Sequence, residues 1–349
     1  MRRSPHPVVA LVLLLAAGIG VAAGQAPSFP VPLGDYLRSE VQLTAAEQAA
    51  LRGDTPVTKM LDSDPAREVA VFGAVWIEAT PADYLAAVKD IETFERGAGF
   101  LITKKISNPP TIADFQAMQF SDDDIDELKS CKVGDCAIKM GEEPLQRFKS
   151  QIDWTKPTAR RDATMLARQL ALDYVKGYLE GGNAELAVFR DSKNPTFVAD
   201  EFKSLIGRMP KLTTYLPGLQ KYLLDFPKAT LPNSSSFLYW QAVEFGLKPT
   251  VRINHVVMQE LPGGAVVASK QIYASHYFWT ALELRVLVED PSRGRGFYLV
   301  TVTRSRSDGL TGFVGRLVRS RVRNGARDGV QKALESTKAL LENPGLWRR

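Results

Sequence analysis

Over the last hundred residues, hydrophobic positions first alternate with polar ones and then switch to a helical period. Val251, Ile253, His255 and Val257 share one parity, and Arg252 and Asn254 the other. Pro262-Gly263-Gly264 is a hairpin turn. Val267–Phe278, Ala281–Glu289 and Gly296–Ser305 are each of strand length, with a turn at Asp290-Pro291-Ser292-Arg293-Gly294 between the last two. Short connections between β-rich runs predict an antiparallel meander. Leu310, Phe313, Val314, Leu317 and Val318, then Val330, Ala333, Leu334 and Leu341, recur at helical spacing. One long helix beginning within Gly309–Gly315 therefore closes the chain.

The same patterns organise the rest. Asp35–Arg52 reads as helix, with Thr44 and Glu47 in a capping box and Gly53 as a stop. Thr55–Leu61 reads as a further helical turn or a loop. Glu68–Glu78 is a strand with Val69, Val71, Val75 and Ile77 on one side and Phe72 and Trp76 on the other, so both faces need cover. Thr80-Pro81-Ala82-Asp83 opens a helix over Tyr84–Phe94, with Pro at its first position. Thr111–Phe120 reads as a strand, Ser121-Asp122-Asp123-Asp124 as a solvated helix start, Ala137–Met140 as a short strand and Pro144–Ile152 as a short helix. From Thr158 to about Pro232 the pattern is helical: Arg160–Leu179, stopped by Gly181-Gly182, then Phe197–Arg208 and Leu212–Leu224. The aromatic residues there (Tyr174, Tyr178, Phe189, Tyr215, Tyr222, Phe226) read as packing residues. Phe237–Phe245 is a strand or a short helix.

Composition adds a compartment. Met1-Arg2-Arg3 is a basic start, Val8–Ala23 an apolar run, and Ala22-Ala23-Gly24 supplies small residues before Gln25. This is the three-part pattern of a secretory signal peptide over residues 1–24, the alternative being an uncleaved anchor; it is set apart from the fold. Residues 25–66 then read as a helical leader. The two cysteines, Cys131 and Cys136, fall in one short loop. In an exported, periplasmic or extracellular chain they are expected to pair, pinning local geometry. The spacing is not Cys-x-x-Cys, and no His follows to attach a haem. A net charge of +5 over 349 residues is too small to imply nucleic acid.

A strand feeding a helix, a curved antiparallel sheet and a long final helix resemble the START-like (helix-grip, SRPBCC) superfamily. The stretches that carry the resemblance are Val69–Phe94, Val251–Ser305 and Gly309–Leu341, in particular Lys270–Phe278 and Tyr298–Arg306 before the helix. It covers about half of the mature chain and leaves Thr158–Pro232 without a counterpart, as a helical insertion. What the resemblance implies is an α+β domain over residues 67–349 whose curved sheet wraps the C-terminal helix. It also implies an apolar cavity between them for a lipid-like or other hydrophobic molecule.

Strand parity then offers a lining. With Leu282, Leu284, Val286 and Val288 inward, Glu283, Arg285 and Glu289 point out. With Lys270 outward, Gln271, Tyr273, Ser275 and Tyr277 point in, and on the last strand Tyr298, Val300, Val302 and Arg304 do so. Candidate ligand-binding residues are therefore His255, Gln271, Tyr273, Tyr277, Tyr298 and Arg304, a mostly apolar pocket with a few orienting polar groups; the other reading makes them core and rim.

Chemistry is sparse. His255 and His276 lie on opposite parities, which disfavours a metal pair. The acidic cluster lacks the ligand spacing of a calcium loop. Gly309–Gly315 lacks the Lys of a phosphate loop, and no Gly-x-Ser-x-Gly occurs. No cofactor is implied. An enzyme using His255 with Tyr273 or Arg304, and an envelope interaction protein using the helical stretch, are the alternatives. Arg316, Arg319, Arg323 and Arg327 line one face of the final helix, a solvated face or a contact for anionic lipid headgroups.

Overall fold

The structure, a computed structural model, describes residues 29–97, 99–244, 248–308, 312–343 and 345, with the side chains of residues 213 and 312–318 left out. The stretch read as a signal, residues 1–24, lies outside the described residues, as does the side chain of Arg316.

Two helices open the described chain, α1 (Val31–Ser39) and α2 (Ala45–Arg52). Thr44 and Glu47 cap α2 reciprocally; the break before Thr44 divides the single helix expected over Asp35–Arg52. There follow β1 (Val57–Met60), β2 (Glu68–Ile77), α3 (Pro81–Lys89), α4 (Ile91–Phe94) and β3 (Phe100–Ile106). A helical stretch comes next: α5 (Asp122–Ser130), α6 (Glu142–Gln151), α7 (Ala159–Gly181), the two-residue strands β4 (Val188–Phe189) and β5 (Thr196–Phe197), then α8 (Val198–Gly207), α9 (Pro210–Tyr215) and α10 (Pro217–Asp225). The meander β6 (Ser234–Val243), β7 (Thr250–Leu261), β8 (Gly264–Ala274), β9 (Phe278–Glu289) and β10 (Phe297–Ser307) leads to α11 (Gly312–Glu342).

The fold is α+β. Eight strands form one sheet in the order β1-β2-β10-β9-β8-β7-β6-β3, antiparallel at every junction. The β6–β10 meander matches the period-two pattern. β2 joins it from the other end of the chain, pairing with β10 from Ile77↔Phe297 to Glu68↔Arg306.

Both faces of the sheet are covered. On one, Val75, Ile77, Leu287, Phe297 and Leu299 pack against Tyr84, Leu85 and Val88 of α3 and Leu334 of α11. On the other, Phe72, Trp76, Leu282, Leu284, Tyr298 and Val300 pack against α1, α2, α8 and α10 through Leu33, Leu37, Leu51, Leu205 and Leu223. Farther along that face, Trp240, Ile253 and Ile272 meet Val175 and Tyr178 of α7.

Several expectations are corrected here. The set read as inward, Leu282 to Val288 with Tyr298 to Arg304, faces away from α11 and lies under the N-terminal and middle helices. Glu283 and Arg285, read as outward, lie on the α11 side, where Arg285 pairs with Glu283 and Glu95. With both faces buried, an apolar row does not mark which side the last helix takes. The leader is part of the main core, since Phe29, Leu37 and Val57 belong to it. Thr55–Leu61 contains strand β1. Thr111–Phe120 holds a 3-10 turn at Ile112–Phe115, and Ala137–Met140 is not a strand. β3 was not anticipated; its edge position leaves Leu101, Lys104 and Lys105 unlike a buried strand. Pro217 splits the helix expected over Leu212–Leu224.

Gly73 of β2 lets α11 approach the sheet. A Cβ there would lie 2.6 Å from Val330 Cγ1, 2.9 Å from Leu334 Cδ1 and 3.0 Å from Thr301 Cγ2. Gly73→Ala is expected to lower stability by about 1–3 kcal/mol through overpacking. Gly325→Ala, with open space around its Cβ on the same helix, should raise it by roughly 0.5–1 kcal/mol. Denaturant midpoints of the two variants check both signs; equal small shifts would disprove close contact at Gly73.

Candidate functional site

α5, α6 and α7 pack on the far half of the sheet and leave an apolar cavity of about 110 Å³. α7 contributes Ala167, Leu170, Ala171 and Tyr174, residues three and four apart that share one helix face. α6 supplies Pro144 and Phe148, α5 Leu128, the segment after the cysteine loop Ile138 and Met140, and the sheet Val251, Ile253 and Tyr273. Small side chains on α7 opposite Val251 and Ile253 are what keep the space open. The two tyrosines at its wall have their hydroxyls committed. Tyr174 donates to the Ile272 carbonyl at 2.7 Å and accepts from the Ala187 N–H at 3.4 Å. Tyr273 donates to the Lys139 carbonyl at 3.0 Å. No charged side chain lines the cavity, so its lining is apolar but for the two tyrosine hydroxyls.

One wall is a cross-linked lid. Cys131 and Cys136 form a disulfide, as expected. The loop it closes is tied down by backbone bonds from Gly134 to Arg190 at 2.7 Å and from Cys136 to Asp191 at 2.9 Å. The following segment is held by Lys139 N–H to Ser275 at 2.8 Å, and the buried Lys139 ammonium pairs with Asp191 at 3.0 Å and Asp308 at 2.5 Å. His276 lies between the lid and the sheet, 3.1 Å from Asp124 Oδ1 through Nε2 and 3.1 Å from the Ala137 carbonyl through Nδ1. Burial pushes the Asp124 carboxyl up, but hydrogen bonds from His276 and Lys248 more than offset this and hold it below its ordinary value. The acidic helix start is thus only partly solvated. Asp122 and Asp126 pair with Arg160, as exposed groups do, while Asp124 is buried.

A second cluster surrounds His255, at the C-terminal end of α7. Tyr178 Oη is 2.9 Å from His255 Nδ1, and Lys270 Nζ donates to Tyr178 Oη at 3.4 Å and to Asn183 Oδ1. Phe226 and Tyr222 pack on the imidazole. Lys270 is only 1% exposed, and its ammonium sits 4.3 Å from the Phe202 ring centre. Burial pushes the amine down to about 7. Burial first, and then the Lys270 charge, push His255 down to about 3, so the imidazole is neutral. The end of the long helix α7 and the aromatic faces compensate a cation that has no carboxylate partner.

The six candidate ligand residues therefore do not converge. Tyr273 lines the cavity. His255 belongs to the α7 cluster, and among the described residues its hydrogen bond and ring contacts are with Tyr178, Tyr222 and Phe226, not with Tyr273 or Arg304. Tyr277, at φ 60°, accepts from the Lys248 N–H at 3.0 Å. Tyr298 packs on Trp76 and Phe29 and accepts from Arg293 at 2.7 Å. Arg304 pairs with the buried Glu68 and donates to the Asp62 carbonyl at 3.2 Å. Gln271 faces the α11 side, where its amide atoms and the Asn254 Nδ2 are buried without a hydrogen-bond partner. On the same side Glu95, pushed up by burial, accepts from Tyr239 at 3.1 Å. Among the described residues no cluster of His, Cys, Asp or Glu is suited to a metal. On α11, Arg327 pairs with Asp328 at 3.5 Å, and Arg319 and Arg323 are half-buried.

Lys270, read as outward, is corrected to buried. The bulge at Ile272, where Ile253 pairs with Tyr273 but Asn254 with Gln271, breaks the alternation used to place it. A signal was present: Lys270 shares parity with Val266 and Ala268, both apolar.

The pH dependence of stability tests the cluster. Below pH 7 the folded chain carries a buried ammonium; between about 7 and 10.5 the unfolded chain binds more protons than the folded one. Stability should therefore rise with pH in that window. Lys270→Met is expected to stabilise more at pH 6 than at pH 9, by roughly 2 kcal/mol, as read from denaturant unfolding at the two values. A pH-independent difference would show that the amine is not desolvated.

No protein-family model matches the chain, and no curated protein sequence matches it.

Proposed function

We propose that this chain is an exported binding or carrier protein of the helix-grip type that encloses an aliphatic segment of a hydrophobic ligand between α5–α7 and the sheet. The observation that carries the reading is the cavity itself: about 110 Å³, lined almost wholly by apolar side chains, with both bordering tyrosine hydroxyls bonded to the backbone. A concave pocket lined by apolar side chains suits an apolar group.

The helix-grip assignment is supported by element order. β2 is followed by α3 and α4, then β3; β6–β10 run as a meander, β10 returns to pair with β2, and α11 packs on β2 at Gly73. In that frame residues 107–233 are the insertion, longer than the 158–232 read from periodicity, and the cavity lies beneath it. The proposed ligand space is on the opposite side of the sheet from α11. The α11 side carries Glu95, Glu283, Arg285, Asn254 and Gln271, a poor wall for hydrocarbon.

Export is supported by the N-terminal pattern and by a disulfide, which persists in oxidising compartments. No helix among the described residues is long and apolar enough to cross a membrane. The arginines of α11 supply the charge for contact with an anionic membrane surface from which a lipid-like ligand would be collected.

The test uses the mature chain and a fluorescent naphthylamine probe, with decanoate and hexadecanoate as competitors. Binding is expected, with displacement by the fatty acids. Ala171→Phe, which places a ring in the cavity, should weaken probe binding at least ~10-fold, as loss of a buried apolar contact worth about 1.5 kcal/mol would. Ala167→Leu, a smaller filling, should give an intermediate loss. Probe binding unchanged in both folded variants would sink the reading.

A further inference from the structure

We propose that His276 is a protonation-dependent latch that holds the lid of this cavity closed. The proposal rests on the reading of the cavity as a ligand site, and concerns its regulation.

Three segments meet at the His276 ring. α5 brings the Asp124 carboxylate to Nε2, the segment after Cys136 brings the Ala137 carbonyl to Nδ1, and the ring itself stands in the turn between β8 and β9. Both partners are oxygens that only accept. Two N–H groups are needed to satisfy them, and only the imidazolium has two. A neutral ring must turn a lone pair toward one oxygen, losing one bond and setting acceptor against acceptor in a buried place.

The charges around the ring favour the same state. From α5 come Asp124 and Glu127. From the segment before β7 comes Lys248, whose ammonium is 3.1 Å from Asp124 and 2.8 Å from Glu127. From the ring's own turn comes Tyr277, whose ring centre is 5.8 Å away. From the lid comes the uncharged Ala137 carbonyl, and two residues on lies Lys139, already paired with Asp191 and Asp308. With His276 protonated, two cations face two carboxylates; with it neutral, one buried carboxylate loses half of its compensation.

The held segments are the lid. Leu128, one helical turn beyond Asp124, and Ile138, next to Ala137, both line the cavity. The Cys131–Cys136 disulfide joins the end of α5 to the start of the second segment, so the two move as one body. His276 bonds that body on both sides of the cross-link. The other tether is Lys139 with its two aspartates; histidine is the side chain whose ordinary charge change falls between pH 5 and 8. The lid is latched at the acid end of that range and loosened at the alkaline end.

Three measurements on the full mature chain decide this. The ¹⁵N shifts of the His276 ring should show both nitrogens protonated at pH 5.5 and one at pH 8. Hydrogen exchange over Asp122–Ser130 and Ala137–Met140, corrected for intrinsic rates, should speed up ~10-fold between those values, as loss of one charge-assisted bond would give, while β2 stays unchanged. In His276→Gln the lid should exchange fast at both values. A neutral ring at pH 5.5, or lid protection independent of pH in the wild type, overturns the latch. Release of the naphthylamine probe separates the two readings. Faster release at pH 8 together with faster lid exchange supports both. A pH-dependent lid with no probe binding removes the ligand site and leaves a local switch; probe binding with a pH-independent lid removes the latch and leaves the site.

Discussion

The antiparallel pairing of β2 with β10 is the constraint on which the other layers depend. It joins strands near opposite ends of the described chain over the register Ile77↔Phe297 to Glu68↔Arg306. All ten residues of β2 are buried. Its two faces serve two different layers: Val75 and Ile77 meet α3 and α11, while Phe72 and Trp76 meet α1, α2 and Tyr298. A slip of one residue would exchange those faces and place Glu68, now beside Arg304 and Arg306, among aliphatic side chains. The ionic cluster at one end of the pair thus helps fix the register that the apolar residues alone, present on both faces, leave weakly determined. Arg208 and Glu201 extend that cluster to α8 and its neighbourhood, so the helical stretch is docked by the same charges.

This explains which parts of the fold were legible in the sequence. The meander and the final helix stand out because their periods are clean, and the capping box at Thr44 marks a helix start that the structure has. Which face looks toward α11 was not legible, because Leu282, Leu284 and Leu287 fall on two parities and both are buried. Edge strands were lost for the opposite reason. β1 and β3 each have half-exposed positions and lysines, which dilute the alternation. At the site, the disulfide followed from two cysteines in one loop, while Tyr273, read as facing the final helix, borders a pocket on the other side of the sheet. The cavity could not be foreseen, since residues far apart in sequence, Ala167 and Ala171 of α7 and Val251 of β7, line it together.

Buried polar groups divide the molecule by role. Glu68 with its arginines and Lys139 with Asp191 and Asp308 are paired, and they fasten elements far apart in sequence. Lys270 and His255 have no countercharge and lean on the end of α7 and on aromatic faces, which leaves the imidazole neutral and the amine easily deprotonated. The sheet's α11 side carries a network of charges and two amides with unmatched atoms, Asn254 and Gln271. These two sides of one sheet are chemically unlike, and the side beneath α5–α7 carries the apolar pocket.

That space has an energetic consequence. Space against these apolar side chains forfeits dispersion contacts that a filled core would make. Larger side chains at Ala167 or Ala171 would remove much of that deficit without disturbing the helix, since both are surrounded by aliphatic neighbours. The lid, in contrast, is heavily secured by a disulfide, two ion pairs and the His276 bridge. The fastenings of this region are thus concentrated on one wall of the pocket. A hydrocarbon occupant would recover part of the lost packing energy, and it would do so most fully when that wall is shut.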